Sequence, residues 1–244
     1  MSTFDKPPAK NEVPKRAVRP RDAATLILVN REARGGPTVL MGQRSKGHVF
    51  MPDKFVFPGG RLDRGDFAPN PATRLSDHVV QRLTQDPRGA RAITAAKAQA
   101  LAMAALRETF EETGLVLGTA DATMPPTRSK TWRPYRDTGI APRLDTLEFV
   151  ARAITPPYRN RRFDARFFMA DADLIAADKH DEFAGSGELL ELHWVPLKEA
   201  KKLDLPNITR MVIDIVNTHV EGRAEDGVPF VHFRHGKPQM DKIL

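Results

Sequence analysis

An alanine-rich run from Arg91 to Thr113, closed by Gly114, constrains this chain more than any other segment. Alanine, leucine, methionine and glutamate fit a helix at little entropic cost, and a glycine after the last turn can take the left-handed conformation that ends one. The run predicts one long helix, which must bury a face. At about 100° per residue, Met103, Leu106, Phe110 and Thr113 gather on one side of it, and Glu108, Glu111 and Glu112 on the other. The acidic group is therefore expected outside the core. Like charges three or four residues apart destabilise a helix by about 0.2–0.5 kcal/mol per pair, so the end of this helix, LRETFEETGL (106–115), needs a compensating partner.

Strand signals flank the helix on both sides. ATLILVN (24–30) is apolar and β-branched; turn residues follow, and VLMGQRS (39–45) predicts the second arm of a hairpin. FVFPGG (55–60) predicts a strand stopped sharply by Pro-Gly-Gly, and LSDHVVQRL (75–83) a short helix. A long polar connection occupies 118–143. TLEFVARAI (146–154), RFDARFFMA (162–170) and ELHWVPL (191–197) predict strands, the last leading into a helical patch at LKEAKKL. NITRMVIDIVNTHVE (207–221) is an amphipathic helix, and PFVHFRHG a terminal strand. With no internal repeat and no interdomain linker, the pattern is a single mixed α/β domain.

Composition excludes several classes of chemistry. There is no cysteine, hence no disulfide, thiolate metal site or cysteine nucleophile. Nothing at the N-terminus resembles a signal peptide, and no apolar run approaches the ~18 residues of a membrane span, so a cytoplasmic protein without a membrane partner is expected. The net charge is +7, but +4 of it lies in residues 1–21, where six Lys/Arg face Asp5 and Glu12. That Pro-rich segment is expected to be a flexible basic arm, solvated or touching a polyanion. No RNA-binding motif accompanies it, so nucleic acid is not an expected partner, whereas a basic surface suits a phosphorylated substrate. The seven histidines show no metal-ligand spacing, and Ser45 and Ser186 have no evident nucleophile partner.

Taken alone, the three glutamates are either a solvated acidic face or a site for Mg²⁺ or Mn²⁺, hard cations that take carboxylate oxygens and keep waters for a phosphate. A divalent ion would relieve their repulsion. FPGGRLDRGD (57–66) adds two glycines at the end of a strand, where backbone can closely approach a ligand or a helix.

Read together, these two segments resemble the Nudix hydrolase superfamily, whose signature runs G-x5-E-x7-R-E-(apolar)-x-E-E-x-G-(apolar). Gly60 matches the first glycine, Arg107-Glu108 the RE pair, Glu111-Glu112 the EE pair, and Gly114-Leu115 the close. Three departures stand out. Thr109 takes the apolar position after RE, with Phe110 one place on; Asp66 replaces the first glutamate; and residues 67–106, forty of them, replace the seven-residue spacer. A long spacer of this kind is similar to that of the peroxisomal coenzyme A diphosphatase-like Nudix proteins. The flanking segments Gln43-Arg44-Ser45, FMPDKFVFPGGRLD and ITPPYRNRRFDARFF (154–168) also look like that subgroup.

The resemblance implies a Nudix fold, an α/β/α sandwich with a mixed central sheet, spanning 22–244 with a helical insertion at about 67–106. It implies a small-molecule nucleoside diphosphate substrate, with a metal-activated water attacking one phosphorus of the pyrophosphate. The leading substrate is coenzyme A or acyl-CoA, cleaved to phosphopantetheine and 3′,5′-ADP. ADP-ribose, NADH or a nucleoside diphosphate sugar are the alternatives, and a catalytically silent nucleotide sensor is the other class; a homodimer is left open. By the same resemblance Glu108, Glu111 and Glu112 are metal ligands for Mg²⁺ or Mn²⁺, and Arg107, one turn before Glu111, orients a carboxylate. Gly60 either supplies a metal-site carbonyl or lets the helix pack closely. Asp66 either supports the helix or marks a reshaped site. A further base is expected from DEFAGSGELLELHW: Glu188 first, Glu182 second, with Glu191 a strand residue. Arg159, Arg161 and Arg162 are candidates for phosphate contacts, or else exposed arginines of an edge strand. Arg44 is a further substrate-binding candidate, and Trp132 and Tyr135 either stack on a base or anchor local packing.

Overall fold

The run RDAATLILVN forms strand β1 (Arg21–Asn30), whose apolar residues do not alternate with polar ones because both of its faces are covered. A computed structural model describes residues 18–44, 53–86, 92–176 and 186–244. Leu26 and Leu28 enter one core and Ile27 and Val29 the other, none more than 1% exposed. Strand β2 (Thr38–Arg44) returns antiparallel, with Val29 opposite Val39, as the hairpin expectation requires.

Strands β3 (Phe55–Val56), β4 (Gly59–Arg61), β7 (Glu148–Ile154), β8 (Phe163–Asp171), β9 (Leu189–Pro196), β10 (Val228–Arg234) and β11 (Lys237–Ile243) complete a nine-stranded sheet among the described residues. Its order is β11-β10-β7-β8-β1-β2-β3, with β4 paired to β1 and β9 to β2. Pairing is mixed: β1 runs parallel to β8, and β7 parallel to β10, while β7 and β8 are antiparallel. Short strands β5 (Gly118–Thr119) and β6 (Ala141–Pro142) pair separately.

Helix α1 (Asp77–Thr84) and the long α2 (Ala95–Thr113) cover one face of the sheet. Helix α5 (Asn207–Val220) covers the other through Val212, Ile213 and Val216. Two short helices, α3 (Arg133–Arg136) and α4 (Leu197–Ala200), sit in the connections. The result is the expected α/β/α sandwich.

Four expectations need correcting or completing. The strand at Phe55 does end before Pro58, but Gly59 and Gly60 open a new one: the chain passes from β2, where Phe55 and Val56 pair with Gln43 and Gly42, to β1, where Gly59–Arg61 pair with Thr25, Ala24 and Ala23. Thr94 caps α2 at Lys97 N–H, so the helix begins at Ala95, and Arg91 lies outside the described residues. Rather than one stripe, α2 buries most of its circumference, Glu112 included at 5% exposure, because small alanines let the sheet and α1 approach it. A final strand, β11, follows the one expected at PFVHFRHG; its polar sequence carries no apolar alternation because it forms the exposed sheet edge.

Gly114 ends α2 as expected, at φ 80° with its N–H donated to Phe110 O. The polar connection 118–143 carries two of the most buried aromatic side chains, Trp132 and Tyr135, both 0% exposed. Tyr135 gives its hydroxyl proton to Leu117 O and accepts from Leu117 N–H, and its ring meets Phe110 edge to face. Both residues are packing anchors. Among the described residues no helix is long and apolar enough to cross a membrane.

Candidate active site

The C-terminal turns of α2 bring their carboxylates to the transfer point between β2 and β1. Gly59 donates its N–H to Glu112 Oε2 at 2.9 Å. A Cβ on Gly60 would overlap the carboxylate of Glu108, so the second glycine is required by that side chain's position. Of the two roles open to Gly60, the close approach of helix to strand is the one the packing displays.

Arg107 organises the cluster. Its Nε and Nη2 form a fork on Asp66 at 2.7 and 3.1 Å, Nη1 reaches Glu108 at 2.9 Å and Glu111 at 3.1 Å, and Nη2 also donates to Arg61 O. The one-turn contact to Glu111 read from the sequence is therefore present. So is a second contact, to Asp66, across forty intervening residues. Asp66 is 1% exposed in the 3-10 turn Arg64–Phe67, where Asp63 and Asp66 cap each other's backbone. It also accepts the indole N–H of Trp132 at 2.9 Å. Asp66 thus ties this turn to α2 through Arg107, with its own side chain fully buried. Thr109 suits its apolar position because its hydroxyl is spent on Ala105 O, at 0% exposure.

Burial sets the electrostatics. It pushes Glu112 up to about 8, against the Gly59 hydrogen bond, with the Glu108 charge raising it further. Burial also raises Glu108 and Glu111, both opposed by Arg107. For Arg107 burial acts downward, but the Asp66 hydrogen bonds and the surrounding carboxylates prevail and raise it. Arg44 is lowered by burial and held up by the charges of Glu112, Glu188 and Glu108, with which it lines one cavity.

Two cavities meet here. One of about 790 Å³ runs from Glu108, Glu112 and Glu188 past Arg44 to Arg161 and Arg162, on the α5 side of the sheet. Its floor includes Ala165, Phe167, Ile208 and Phe233. The other, about 430 Å³, adjoins Glu111 and is also lined by Glu108, Glu112, Ser186 and Glu188. Glu188 is thus shared by both, and Ser186 N–H donates to Glu111 O at 2.7 Å, tying the start of that segment to α2. Glu191 lies in β9, as expected, at φ 49° beside an irregularity in the β2–β9 register. Glu182 and Ser45 lie outside the described residues.

The arginines divide. Arg161 is exposed on the cleft, while Arg162 gives Nε to Thr155 O and Nη1 to Val18 O, clasping the β7–β8 turn. Arg159 lies over the Tyr158 ring. None of the three lies on an edge strand: they belong to the connection between β7, which ends at Ile154, and β8, which begins at Phe163, and this removes the aggregation-guard explanation.

Among the described residues no three acidic or histidine side chains stand together as a ready-made metal cage. Glu108 and Glu111 turn to Arg107 instead. The donor chemistry nonetheless fits a hard divalent cation: all oxygen, partly desolvated, and beside a cavity with room for a substrate's own oxygens. Mg²⁺ typically takes only one or two carboxylates and completes its shell with water and phosphate. Two contacts escaped the sequence reading, the Gly59 N–H on Glu112 and the Trp132 indole N–H on Asp66. Gly59 was hidden by the ambiguity of a glycine pair, and Trp132 carried only the weak signal of an indole N–H within a polar connection.

A family model, the NUDT19 Nudix domain, matches residues 20–203. A NUDIX hydrolase from Alicyclobacillus acidocaldarius superimposes with a TM-score of 0.58 at 24% identity, covering 82% of this chain and 92% of that one, a likeness of fold. The NUDIX domain of Shewanella oneidensis NrtR complexed with ADP ribose gives 0.45 at 13% identity, over 83% and 90%. A C. elegans Ap4A hydrolase gives 0.44 at 16%, over 83% and 98%. A search of curated proteins returned no match.

Proposed function

Because this chain belongs to the Nudix hydrolases, through a domain of the coenzyme A diphosphatase-like NUDT19 type, it is a pyrophosphohydrolase, and we propose that coenzyme A or an acyl-CoA is its substrate. The products are 3′,5′-ADP and phosphopantetheine or its acyl derivative. The observation that carries the reading is a carboxylate cluster organised by one buried arginine and opening onto a cleft of about 790 Å³ with arginines along it. That volume is in the usual range for small-molecule sites, roughly 300–1,000 Å³, and exceeds the needs of a bare pyrophosphate.

Nudix hydrolases generally need a divalent ion, and we take Mg²⁺ or Mn²⁺ as the ion and Glu108, Glu111 and Glu112 as its ligands. When bound, it would neutralise phosphate oxygens and make the attacking water more acidic. Arg107 holds Glu108 and Glu111 in orientation, and the Gly59 N–H fixes Glu112. To Glu188 we assign the acceptance of a proton from water, supported by its place on the wall of both cavities. Arg44 is assigned to the pyrophosphate, since it lines one cavity with the carboxylates, and Arg161 to a more distant phosphate such as the 3′-phosphate of coenzyme A. Arg162 remains a cleft residue with part of its donor capacity used by Thr155 and Val18. Residues 22–244 are taken as the hydrolase unit, 67–106 as its insertion and 1–21 as a basic arm.

A substrate panel assayed with Mg²⁺ and with Mn²⁺ tests the reading. Coenzyme A turnover exceeding that of ADP-ribose, NADH and nucleoside diphosphate sugars is expected. Robust ADP-ribose cleavage without coenzyme A turnover would overturn the substrate assignment. Glu111→Gln and Glu112→Gln should each lower kcat about a hundredfold or more, the scale of losing one charge-stabilising group at a reacting centre.

A further inference from the structure

We propose that Trp132 is a positioning residue for the carboxylate cluster, acting through Asp66 and Arg107 from a connection outside the signature. The proposal rests on the metal-dependent hydrolase reading above. Asp66 has a completely buried side chain that accepts four hydrogen bonds. Oδ1 takes Arg107 Nε and Trp132 Nε1; Oδ2 takes Arg107 Nη2 and the Asp63 N–H. A carboxylate offers about four lone-pair sites, so this one is saturated and has no freedom to rotate. Its rigidity passes to Arg107, whose remaining nitrogen sets both Glu108 and Glu111.

A second observation ties the connection to the same turn. A Cβ on Gly65 would collide with Ser129 Oγ and lie 2.7 Å from Thr131 Oγ1. Segment 129–132 therefore packs directly on Gly65-Asp66, with Ser129 and Thr131 hydrogen-bonded to each other at 2.8 Å and Trp132 fully buried. Asp66 is one methylene shorter than the glutamate of the signature, and the clamp holds it where a longer side chain would have one more torsion to fix. The relay needs the indole N–H as well as the indole bulk.

Trp132→Phe keeps an aromatic ring and deletes that donor. Tyr135→Phe is the control: it removes a hydrogen bond from an equally buried neighbour whose hydroxyl partner is Leu117. Mn²⁺ affinity, measured by electron paramagnetic resonance without substrate, is the deciding readout, with kcat and KM alongside. In Trp132→Phe we expect Mn²⁺ to bind about tenfold more weakly, within the 10–100-fold range of lost outer-shell partners, with kcat reduced and KM within twofold. Tyr135→Phe should leave Mn²⁺ affinity unchanged. A folded Trp132→Phe protein with wild-type Mn²⁺ affinity would overturn the proposal, as would an equal loss in Tyr135→Phe. Should Trp132→Phe not fold, Gly65→Ala displaces the same clamp and is judged by the same readout. A wild type that binds Mn²⁺ but cleaves no pyrophosphate defeats the functional reading alone, and the Mn²⁺ comparison still judges Trp132.

Discussion

Gly60 has no room for a methyl group, because the Glu108 carboxylate occupies the place of a Cβ. Gly60→Ala should therefore displace Glu108 more than it disturbs the strand. We expect kcat to fall tenfold or more, as for displaced supports of a metal site, with the thermal midpoint lowered by only a few degrees. Steady-state kinetics beside a melting curve checks this. Glu112 supports a pH prediction. Its value of about 8 in the folded protein lies above the ~4.3 of an unfolded glutamate, so folding favours its protonated form. That stabilisation is complete below about 4.3 and is lost as pH rises towards about 8. Mn²⁺ binding at pH 7 must displace the proton, and about one should be released. Calorimetry in buffers of different ionisation enthalpy would measure it, and binding without proton release would contradict the raised value of Glu112.

At the scale of elements, the end of α2 depends on Gly114 at φ 80°. Gly114→Ala should lower stability by about 1 kcal/mol, measured by urea unfolding, since a side chain is disfavoured in the left-handed region. The long helix, this stop, the β1–β2 hairpin and the amphipathic α5 were all legible because each is fixed by local periodicity or a single special residue. The Pro-Gly-Gly segment was read only in part because its role depends on two partner strands, and transfer and termination look alike from one chain segment. Strand β11 was missed because an exposed edge has no apolar face to show. The acidic positions of the site were legible as a spacing; their burial was not, since it comes from tertiary packing around an alanine-rich helix. Asp66 and Arg107 show the limit most directly, as only the folded chain reveals that they meet.

For the whole molecule, a cation bound only by the folded state adds stability by mass action. At a hundred times its dissociation constant it contributes about 2.7 kcal/mol, or a rise of about 5–10 °C in thermal midpoint for a domain of this size. Mn²⁺ should produce such a rise in the wild type, and much less in Glu112→Gln; equal rises in both would remove Glu112 from the ligand set. The transfer of the chain from β2 to β1 also has an architectural consequence. It parts the sheet so that carboxylates carried by a helix on one face line a cavity on the other. The carboxylates are held by α2 and the glycines, whereas Ile208 and Phe233, carried by α5 and β10, line the same cavity. On the reading proposed above, exchange of residues such as these should alter substrate choice while the carboxylates keep their places.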